Sequence, residues 1–186
     1  MTVMSFYEEV RIAGFGGQGI ILAGKLLAQT AMDSGKEVTY MPAYGAEMRG
    51  GTANSMVIIS DEPIASPIVS NPDSLIAMSK ASMNKFAPHL KADGLLVLNS
   101  SLIETKPDIC DTIKVLAVPA DEIAVELGNA KVANMVALGA YLQSIAVLTI
   151  DSAARNLSKV LASRYHKTLP INTEALRLGA EFAQKN

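Results

Sequence analysis

The chain has 186 residues, of which 49% are hydrophobic, so its length favours one domain with a substantial core. Its 16 basic and 18 acidic residues give a formal net charge of −2 and form no basic block, which argues against nucleic acid as a partner. One cysteine and two histidines exclude an internal disulfide framework and an iron–sulfur cluster held by this chain alone, and they argue against a zinc site.

The N-terminal residues contain no basic segment followed by a long apolar core, so we predict no signal peptide. The longest apolar stretch, residues 132–148, is interrupted by polar residues and is shorter than the ~20 residues that span a bilayer. We therefore expect a cytoplasmic protein that is not inserted in a membrane.

Predicted strands and helices alternate along the chain. The strands are expected at about residues 9–14, 37–41, 52–60, 73–78, 95–99 and 113–118. The helices are expected at about residues 18–34, 80–90, 121–127, 132–147, 152–165 and 173–185. This order predicts an α/β fold, a single domain over residues 1–186, built as a three-layer sandwich with a mostly parallel sheet and helices on both faces. The helices from about residue 132 onward are expected to pack on the sheet or on partner chains.

A glycine-rich turn joins the first predicted strand to the first predicted helix. Its sequence, Gly14-Phe15-Gly16-Gly17-Gln18-Gly19, fits the G-x-G-x-x-G spacing that opens a Rossmann-like, dinucleotide-binding unit. Glycine allows the tight turn and leaves the N–H groups at the start of the helix open to a phosphate. The candidate cofactor-binding residues are therefore Gly14, Gly16, Gly17, Gln18 and Gly19.

Other interpretations of this turn stay open. A nicotinamide site also needs an acidic residue at the end of the second strand, where Tyr40-Met41-Pro42 stands instead. The glycines could simply allow the strand and the helix to pack closely. A P-loop pattern overlaps the turn from Gly19 to Lys25, but Leu26 replaces the Ser or Thr that would hold magnesium, so we discount it.

A second glycine-rich loop, residues 42–51, follows the second predicted strand. Ligands of open α/β sheets bind at the carboxyl ends of the strands, so this loop is expected beside the first turn. Glu47 and Arg49 could pair with each other or hold an anionic group, or they could form a solvated ion pair on a flexible loop. The candidate partner or active-site contacts here are Tyr44, Glu47, Arg49, Gly50 and Gly51.

Some polar residues outside these loops also need an interpretation. Asn134, inside the apolar helix, requires a hydrogen-bond partner; it is either a satisfied core amide or a contact to a partner or active site. Adjacent acids such as Glu8-Glu9 are expected to be solvated, and Cys110 is interpreted as a packed or semi-exposed thiol. We assign no catalytic and no metal-binding residue.

The block at 14–19, followed by Tyr44-Gly45-Ala46-Glu47-Met48-Arg49-Gly50-Gly51, resembles the gamma subunit of the 2-oxoacid:ferredoxin oxidoreductases. Ala46 stands where that family often has Pro. The resemblance covers nearly the whole chain, through Ser66-Pro67 and residues 72–77, 94–97, 118–120 and 128–139. The second block is most similar to the branches that act on 2-oxoglutarate or branched-chain 2-oxoacids, and we rank 2-oxoglutarate first.

The resemblance implies a mechanism whose reacting cofactors are bound mostly by other chains. In such enzymes thiamine diphosphate attacks the 2-oxoacid, CO2 leaves, electrons pass through iron–sulfur clusters to ferredoxin or flavodoxin, and coenzyme A takes the acyl group. Thiamine diphosphate, magnesium and the clusters would belong to thiamine-binding alpha and beta subunits and a ferredoxin-like cluster subunit. This chain would be an accessory subunit that binds no cofactor firmly and receives part of coenzyme A at the 14–19 turn.

Two functions of other classes stay open. A free-standing oxidoreductase would bind NAD or FAD through the glycine turn, and a nucleotide-binding scaffold would bind a nucleotide without turnover. The missing acid after the second strand argues against the first, and the charged second loop argues against the other.

Overall fold

The computed structural model describes residues 5–44, 52–104 and 109–186. Within these ranges six strands form one sheet, namely β1 (Tyr7–Phe15), β2 (Glu37–Tyr44), β3 (Thr52–Ser60), β4 (Ser74–Ala77), β5 (Leu95–Asn99) and β6 (Lys114–Val118). The helices are α1 (Ile20–Asp33), α2 (Lys80–Phe86), α3 (Ala120–Glu126), α4 (Ala133–Ile145), α5 (Ile150–Val160) and α6 (Leu169–Lys185). Short 3₁₀ helices lie at Ala87–His89, Ala130–Val132 and Ser163–Thr168.

The strand order in the sheet is β2-β3-β1-β4-β5-β6. β1, β4, β5 and β6 are parallel to one another, whereas β3 runs antiparallel to both of its neighbours, so β2 points the same way as β1. The predicted α/β fold with a mostly parallel sheet is therefore confirmed. The antiparallel pair of β2 and β3 was not predicted; it forms because the segment between them is too short for the helical crossover that parallel neighbours need.

The two faces of the sheet are covered by different helices. Along β1, Ile12 joins a core cluster with residues of α1, α4, α5 and α6, and the next residue, Ala13, joins a second cluster with Met83 and Phe86 of α2. This alternation follows from the two-residue period of a strand. The predicted three-layer arrangement, with helices on both faces, is confirmed.

Helix α4 is the centre of the larger layer, since every residue from 133 to 142 is buried. It crosses α6 at Gly139 and Gly179: a Cβ atom on Gly139 would lie 2.0 Å from the backbone oxygen of Leu176, and one on Gly179 would lie 1.9 Å from that of Val136. The two helix backbones are thus in direct contact, and the predicted burial of this apolar helix is confirmed. None of the helices in the described part of the chain is both long and apolar enough to cross a bilayer.

Two predicted helix boundaries were wrong for identifiable reasons. The last helix was expected from residue 173, but α6 begins at Leu169 with Pro170 in its first turn, where a missing N–H costs no helical hydrogen bond. Helix α5 ends at Val160, earlier than expected, because Leu161 has an extended backbone with φ −82° and ψ 130°.

Candidate functional site

The carboxyl ends of β1 and β2 meet at one edge of the sheet. Phe15 lies opposite Thr52, and Tyr44 lies opposite Ala53, so both strands end where β3 begins. The glycine turn at 14–19 therefore lies beside both ends of the second glycine-rich loop, as the sequence predicted. We call this side of the sheet the carboxyl edge.

Most of the second loop falls outside the described residues. For Tyr44 the structure describes the backbone at the end of β2. The remaining candidates lie in the undescribed segment, so their contact roles stay predictions; they are Glu47, Arg49, Gly50 and Gly51.

The glycine turn adopts backbone angles that side chains disfavour. Gly17 has φ 97° and Gly19 has φ 71°, both in the left-handed region. Gly19 is the N-cap residue of α1 and offers no side chain to the first N–H groups of that helix. The glycines at these two positions are therefore required by the turn itself, whatever the turn binds.

Gln18 braces the turn from inside. The Phe15 N–H donates to Gln18 Oε1 at 2.7 Å, and Gln18 Nε2 donates to the carbonyl oxygen of Met78 at 2.9 Å. A Cβ on Gly14 would lie only 2.5 Å from Gln18 Oε1, so a glycine at 14 makes room for this amide. Both ends of the amide are occupied within the chain, so Gln18 is a positioning residue that fixes the turn against the end of β4.

Asn134 joins the glycine turn across a separation of 115 residues. Its Nδ2 donates to the Gly19 carbonyl oxygen at 3.0 Å, which ties the start of α4 to the start of α1. The interpretation as a satisfied core amide holds for this nitrogen. The Oδ1 atom is buried and has no hydrogen-bond partner among the described residues, and the residue is 4% exposed.

The start of α1 provides donors for an anion. The Ala23 N–H makes the helical hydrogen bond to the Gly19 oxygen at 3.0 Å, so the N–H groups of residues 20–22 precede the first helical donor and have no acceptor within the helix. These orphan donors and the helix dipole give the turn a partial positive charge. Three groups of this kind beside a glycine turn suit a phosphate or another anion.

The topology weakens the NAD or FAD alternative. In a dinucleotide-binding unit the second strand lies next to the first, and its end supplies the ribose-binding acid. Here β3 occupies the place beside β1 and starts at Thr52, opposite Phe15. The discounted P-loop also stays discounted, because Gly24 and Lys25 lie within α1.

A partly apolar pocket adjoins the turn on the α2 side. Its volume is about 520 Å³, and its lining comes from the end of β1, from the first turns of α2 and from the turn after β5: Phe15, Ser79, Lys80, Ala81, Asn84 and Leu102. Phe15 is 39% exposed and Leu102 is 49% exposed, so two large apolar side chains face solvent at this edge. Sequence reasoning missed this pocket, although all its residues end or follow parallel strands.

A second cavity, with a volume of about 650 Å³, lies at the opposite, amino-terminal edge of the parallel strands. Glu8 lines it and accepts hydrogen bonds from Ser74 Oγ and, at 3.5 Å, from the hydroxyl of the fully buried Tyr141. Burial raises the pKa of the Glu8 carboxyl. The expectation that Glu8 is solvated was therefore wrong, because the fold brings two distant hydroxyls to it. Its neighbour Glu9 pairs with Lys91 at 2.8 Å.

The described part of the chain has one exposed thiol and no cluster of metal ligands. Within residues 5–44, 52–104 and 109–186 no three His, Cys, Asp or Glu side chains are grouped to hold a metal ion. Cys110 is exposed, and so it is more accessible to solvent than the packed or semi-exposed thiol that the sequence predicted. Its Sγ lies 3.3 Å from Thr112 Oγ1, and this hydrogen bond lowers the pKa of the thiol.

Comparison with known proteins assigns the family. The family model described as "Pyruvate ferredoxin/flavodoxin oxidoreductase" matches residues 9–182. The chain belongs to this family. The resemblance found in the two glycine-rich blocks is thereby confirmed.

Two relatives of this oxidoreductase family differ in how much of them the chain covers. The ketoisovalerate oxidoreductase subunit VorA of Methanothermobacter marburgensis is 35% identical over 96% of this chain, but the chain spans only 37% of its length. The 2-oxoglutarate synthase subunit KorC of Methanocaldococcus jannaschii is 37% identical over 96% of this chain and 95% of its own.

Solved structures of the same family share the fold. The gamma subunit of a keto/oxoacid ferredoxin oxidoreductase from Geobacter sulfurreducens superposes with a TM-score of 0.81 and is 30% identical, covering 96% of this chain and 99% of its own. The 2-oxoglutarate:ferredoxin oxidoreductase of Magnetococcus marinus, with 2-oxoglutarate, coenzyme A and succinyl-CoA bound, superposes with a TM-score of 0.84 at 25% identity. It covers 97% of this chain and 31% of its own.

Proposed function

We propose that the chain is the gamma subunit of a 2-oxoacid:ferredoxin oxidoreductase, with 2-oxoglutarate as the preferred 2-oxoacid. The observation that carries this proposal is the end-to-end match to a 2-oxoglutarate synthase subunit, at 37% identity over 95% of that relative. The ketoisovalerate relative has a similar sequence identity of 35% but is much longer, so a branched-chain 2-oxoacid is the second candidate substrate. A cytoplasmic location stays a prediction from composition.

The chemistry of such an enzyme divides between chains. We propose that thiamine diphosphate, magnesium and the iron–sulfur clusters sit in thiamine-binding alpha and beta subunits and a ferredoxin-like cluster subunit. The single cysteine of this chain supports that division, since a cluster usually needs four thiolates. Ferredoxin or flavodoxin would accept the electrons, and coenzyme A would take the acyl group.

We assign part of the coenzyme A site to the carboxyl edge. The open N–H groups at the start of α1 suit a phosphate, and the pocket beside them offers the Phe15 ring and the Lys80 ammonium. Coenzyme A combines phosphates with an aromatic base and an apolar arm, which matches this pairing of donors and apolar surface. Gln18 and Asn134 would hold the turn in position for the ligand.

A charge reversal at Lys80 tests the coenzyme A assignment. In the assembled enzyme, Lys80→Glu is expected to raise the KM for coenzyme A at least about tenfold, because it replaces an attraction to phosphate with repulsion. The kcat at saturating coenzyme A and the KM for the 2-oxoacid should stay unchanged. The matched control is Lys85→Glu on the same helix, outside the pocket lining; equal effects of both changes would refute the assignment.

Isolation of the complex tests the subunit role itself. The tagged chain, purified anaerobically from its native cells, is expected to bring down thiamine-binding and cluster-binding chains, identified by mass spectrometry. A chain that elutes alone with a bound nucleotide would instead favour the dinucleotide-binding alternative.

A further inference from the structure

The cavity at the amino-terminal edge of the parallel strands plays no part in the proposed function. It is open to solvent, and its volume of about 650 Å³ falls within the range of about 300–1,000 Å³ that is typical of small-molecule sites. Its apolar wall includes Leu95, Leu116 and Ile145, which come from β5, β6 and the last turn of α4. A ligand that fits this cavity can therefore carry an apolar body.

The half-buried carboxyl of Glu8 lies in the lining of this cavity without a cation of its own. Its Oε1 accepts hydrogen bonds from the hydroxyls of Ser74 and Tyr141. Among the described residues no donor is bonded to Oε2, and no lysine or arginine pairs with the carboxyl. A carboxylate that is withdrawn from water is stabilised by a cation, so Oε2 is a free acceptor for a positively charged donor.

The charged groups around Glu8 leave the cavity negative. Asp73 and Asp93 also line it, and Lys114 is the one cation in the described lining. Lys91 lies nearby, but its ammonium is already 2.9 Å from a carboxylate oxygen of Asp73. Asp93, like Glu8, has no ion-pair partner in the described part of the chain. The electrostatic field within the cavity therefore attracts a cation.

The end of α4 adds acceptors to the same cavity. The Ala146 N–H makes the last hydrogen bond of this helix, to the Leu142 oxygen at 3.1 Å, so the carbonyl groups of residues 143–145 have no donor within the helix. The last turn of α4 contains no basic residue to offset its partial negative charge. Ser144 lines the cavity, and its hydroxyl donates to the Ala140 oxygen at 2.9 Å, which leaves the hydroxyl oxygen free to accept. These groups favour a cation that donates hydrogen bonds.

The kind of cation follows from the residues of the lining. A divalent metal would need several oxygen ligands close together, and the described side chains provide no such group of three acids, histidines or cysteines. An ammonium group has three donors, and the apolar wall suits an alkyl chain. We propose that the cavity binds a primary alkylammonium ion, with its ammonium at Glu8 Oε2 and the Ser144 hydroxyl and its alkyl chain against Leu116 and Ile145.

This site does not depend on the proposed enzyme function. It lies at the amino-terminal edge of the parallel strands, whereas coenzyme A is assigned to the carboxyl edge. Amine binding could therefore fail while the expected effect of Lys80→Glu on coenzyme A holds, and the reverse is equally possible.

Titration calorimetry of the full chain with n-hexylamine tests the site directly. At neutral pH we expect one hexylammonium ion to bind per chain. Hexanol and hexanoate have the same carbon chain without the positive charge, and they should bind at least about tenfold more weakly. Glu8→Gln, which keeps the size of the side chain, should weaken hexylammonium binding at least about tenfold. The matched control is Glu126→Gln, at an exposed position outside the cavity lining, which should bind like the wild type.

The protons that are released on binding provide a second measurement. Burial raises the pKa of the Glu8 carboxyl, so part of the free chain carries a proton there under acidic conditions. An alkylammonium ion, like that of lysine, stays charged over this range, and its binding to the carboxylate must displace that proton. Titrations in two buffers with different ionisation enthalpies should show proton release that declines as the pH rises, and none in Glu8→Gln. Failure of hexylamine to bind, equal binding of hexanoate, or wild-type affinity in Glu8→Gln would each overturn the proposal.

Discussion

Gln18 holds the glycine turn closed through both ends of its amide, and this is a property that the motif does not reveal. A G-x-G-x-x-G pattern predicts open N–H groups, yet the Phe15 N–H is already taken by the Gln18 carbonyl. The donors left for a ligand are those at the start of α1. The sequence could indicate the turn, but the partner of Gln18 lies 60 residues away at Met78, which only folding brings near.

Removal of the two Gln18 hydrogen bonds should measurably lower the stability of the chain. Gln18→Ala leaves the Phe15 N–H and the Met78 carbonyl without this partner, so we expect a loss of about 1–3 kcal/mol in the free energy of unfolding, measured with urea. Gln29→Ala, which removes an exposed amide bonded to Asp33, is the control and should cost much less. Equal losses of unfolding free energy in the two variants would show that the Gln18 hydrogen bonds do not stabilise the turn.

Glu8 makes stability depend on pH. Its pKa is raised in the folded chain by burial, so the folded state holds a proton that the unfolded state has released once the pH passes the unfolded value near 4.5. Stability contributed by this group is therefore present at low pH and falls as the pH rises through the folded pKa. Glu8→Gln, which keeps an acceptor for Ser74, should remove this slope and raise the unfolding temperature at neutral pH.

The control for Glu8 is Glu126→Gln at an exposed position on α3. Unfolding temperatures of the wild type and both variants, measured from acidic to neutral pH, test whether Glu8 causes the pH dependence of stability. If Glu8→Gln keeps the wild-type slope, burial of the carboxyl is not its source.

At the scale of elements, the crossing of α4 and α6 depends on two glycines. On helix propensity alone, Gly→Ala would stabilise a helix by up to about 1 kcal/mol. Here a Cβ at Gly139 or Gly179 would collide with the backbone of the other helix, at 2.0 Å and 1.9 Å respectively. We therefore predict that either Gly→Ala change lowers the free energy of unfolding by about 1–3 kcal/mol or more, since backbones cannot move aside as side chains do.

Chemical denaturation of Gly139→Ala and Gly179→Ala checks this prediction. Gln143→Ala, at an exposed position of the same α4, serves as the control with a change near zero. A neutral or stabilising effect at either glycine would mean that the helices are not in backbone contact.

The strands and helices themselves were largely predictable from the hydrophobic pattern and from the glycine and proline residues that end them. β3 and β5 were placed at their observed bounds, and the apolar run after residue 132 was recognised as a buried helix. The direction of each strand was not predictable from the two-residue period alone. The alternation of apolar and polar side chains shows which face of a strand is buried, but it does not show which strand lies beside it. The antiparallel pairing of β2 with β3 follows instead from the short connection that joins them.

At the scale of the whole molecule, the glycine turn and the Glu8 cavity lie at opposite edges of one sheet. The carboxyl edge gathers the glycine turn, Asn134 and the pocket at Phe15, and sequence reasoning located the turn there from the strand–glycine–helix order. The cavity at Glu8 was missed because Ser74 and Tyr141 are 66 and 133 residues away from it in the chain. Contacts of that range depend on packing that no local pattern records.

We propose that this chain serves a coenzyme A-dependent oxidation of a 2-oxoacid. The most direct measurement is anaerobic reduction of a viologen dye by the complex isolated through this chain, with 2-oxoglutarate, pyruvate or 2-oxoisovalerate, each with and without coenzyme A. We predict dye reduction that requires coenzyme A and is fastest with 2-oxoglutarate. An isolated complex that reduces no dye with any of the three 2-oxoacids would refute this role.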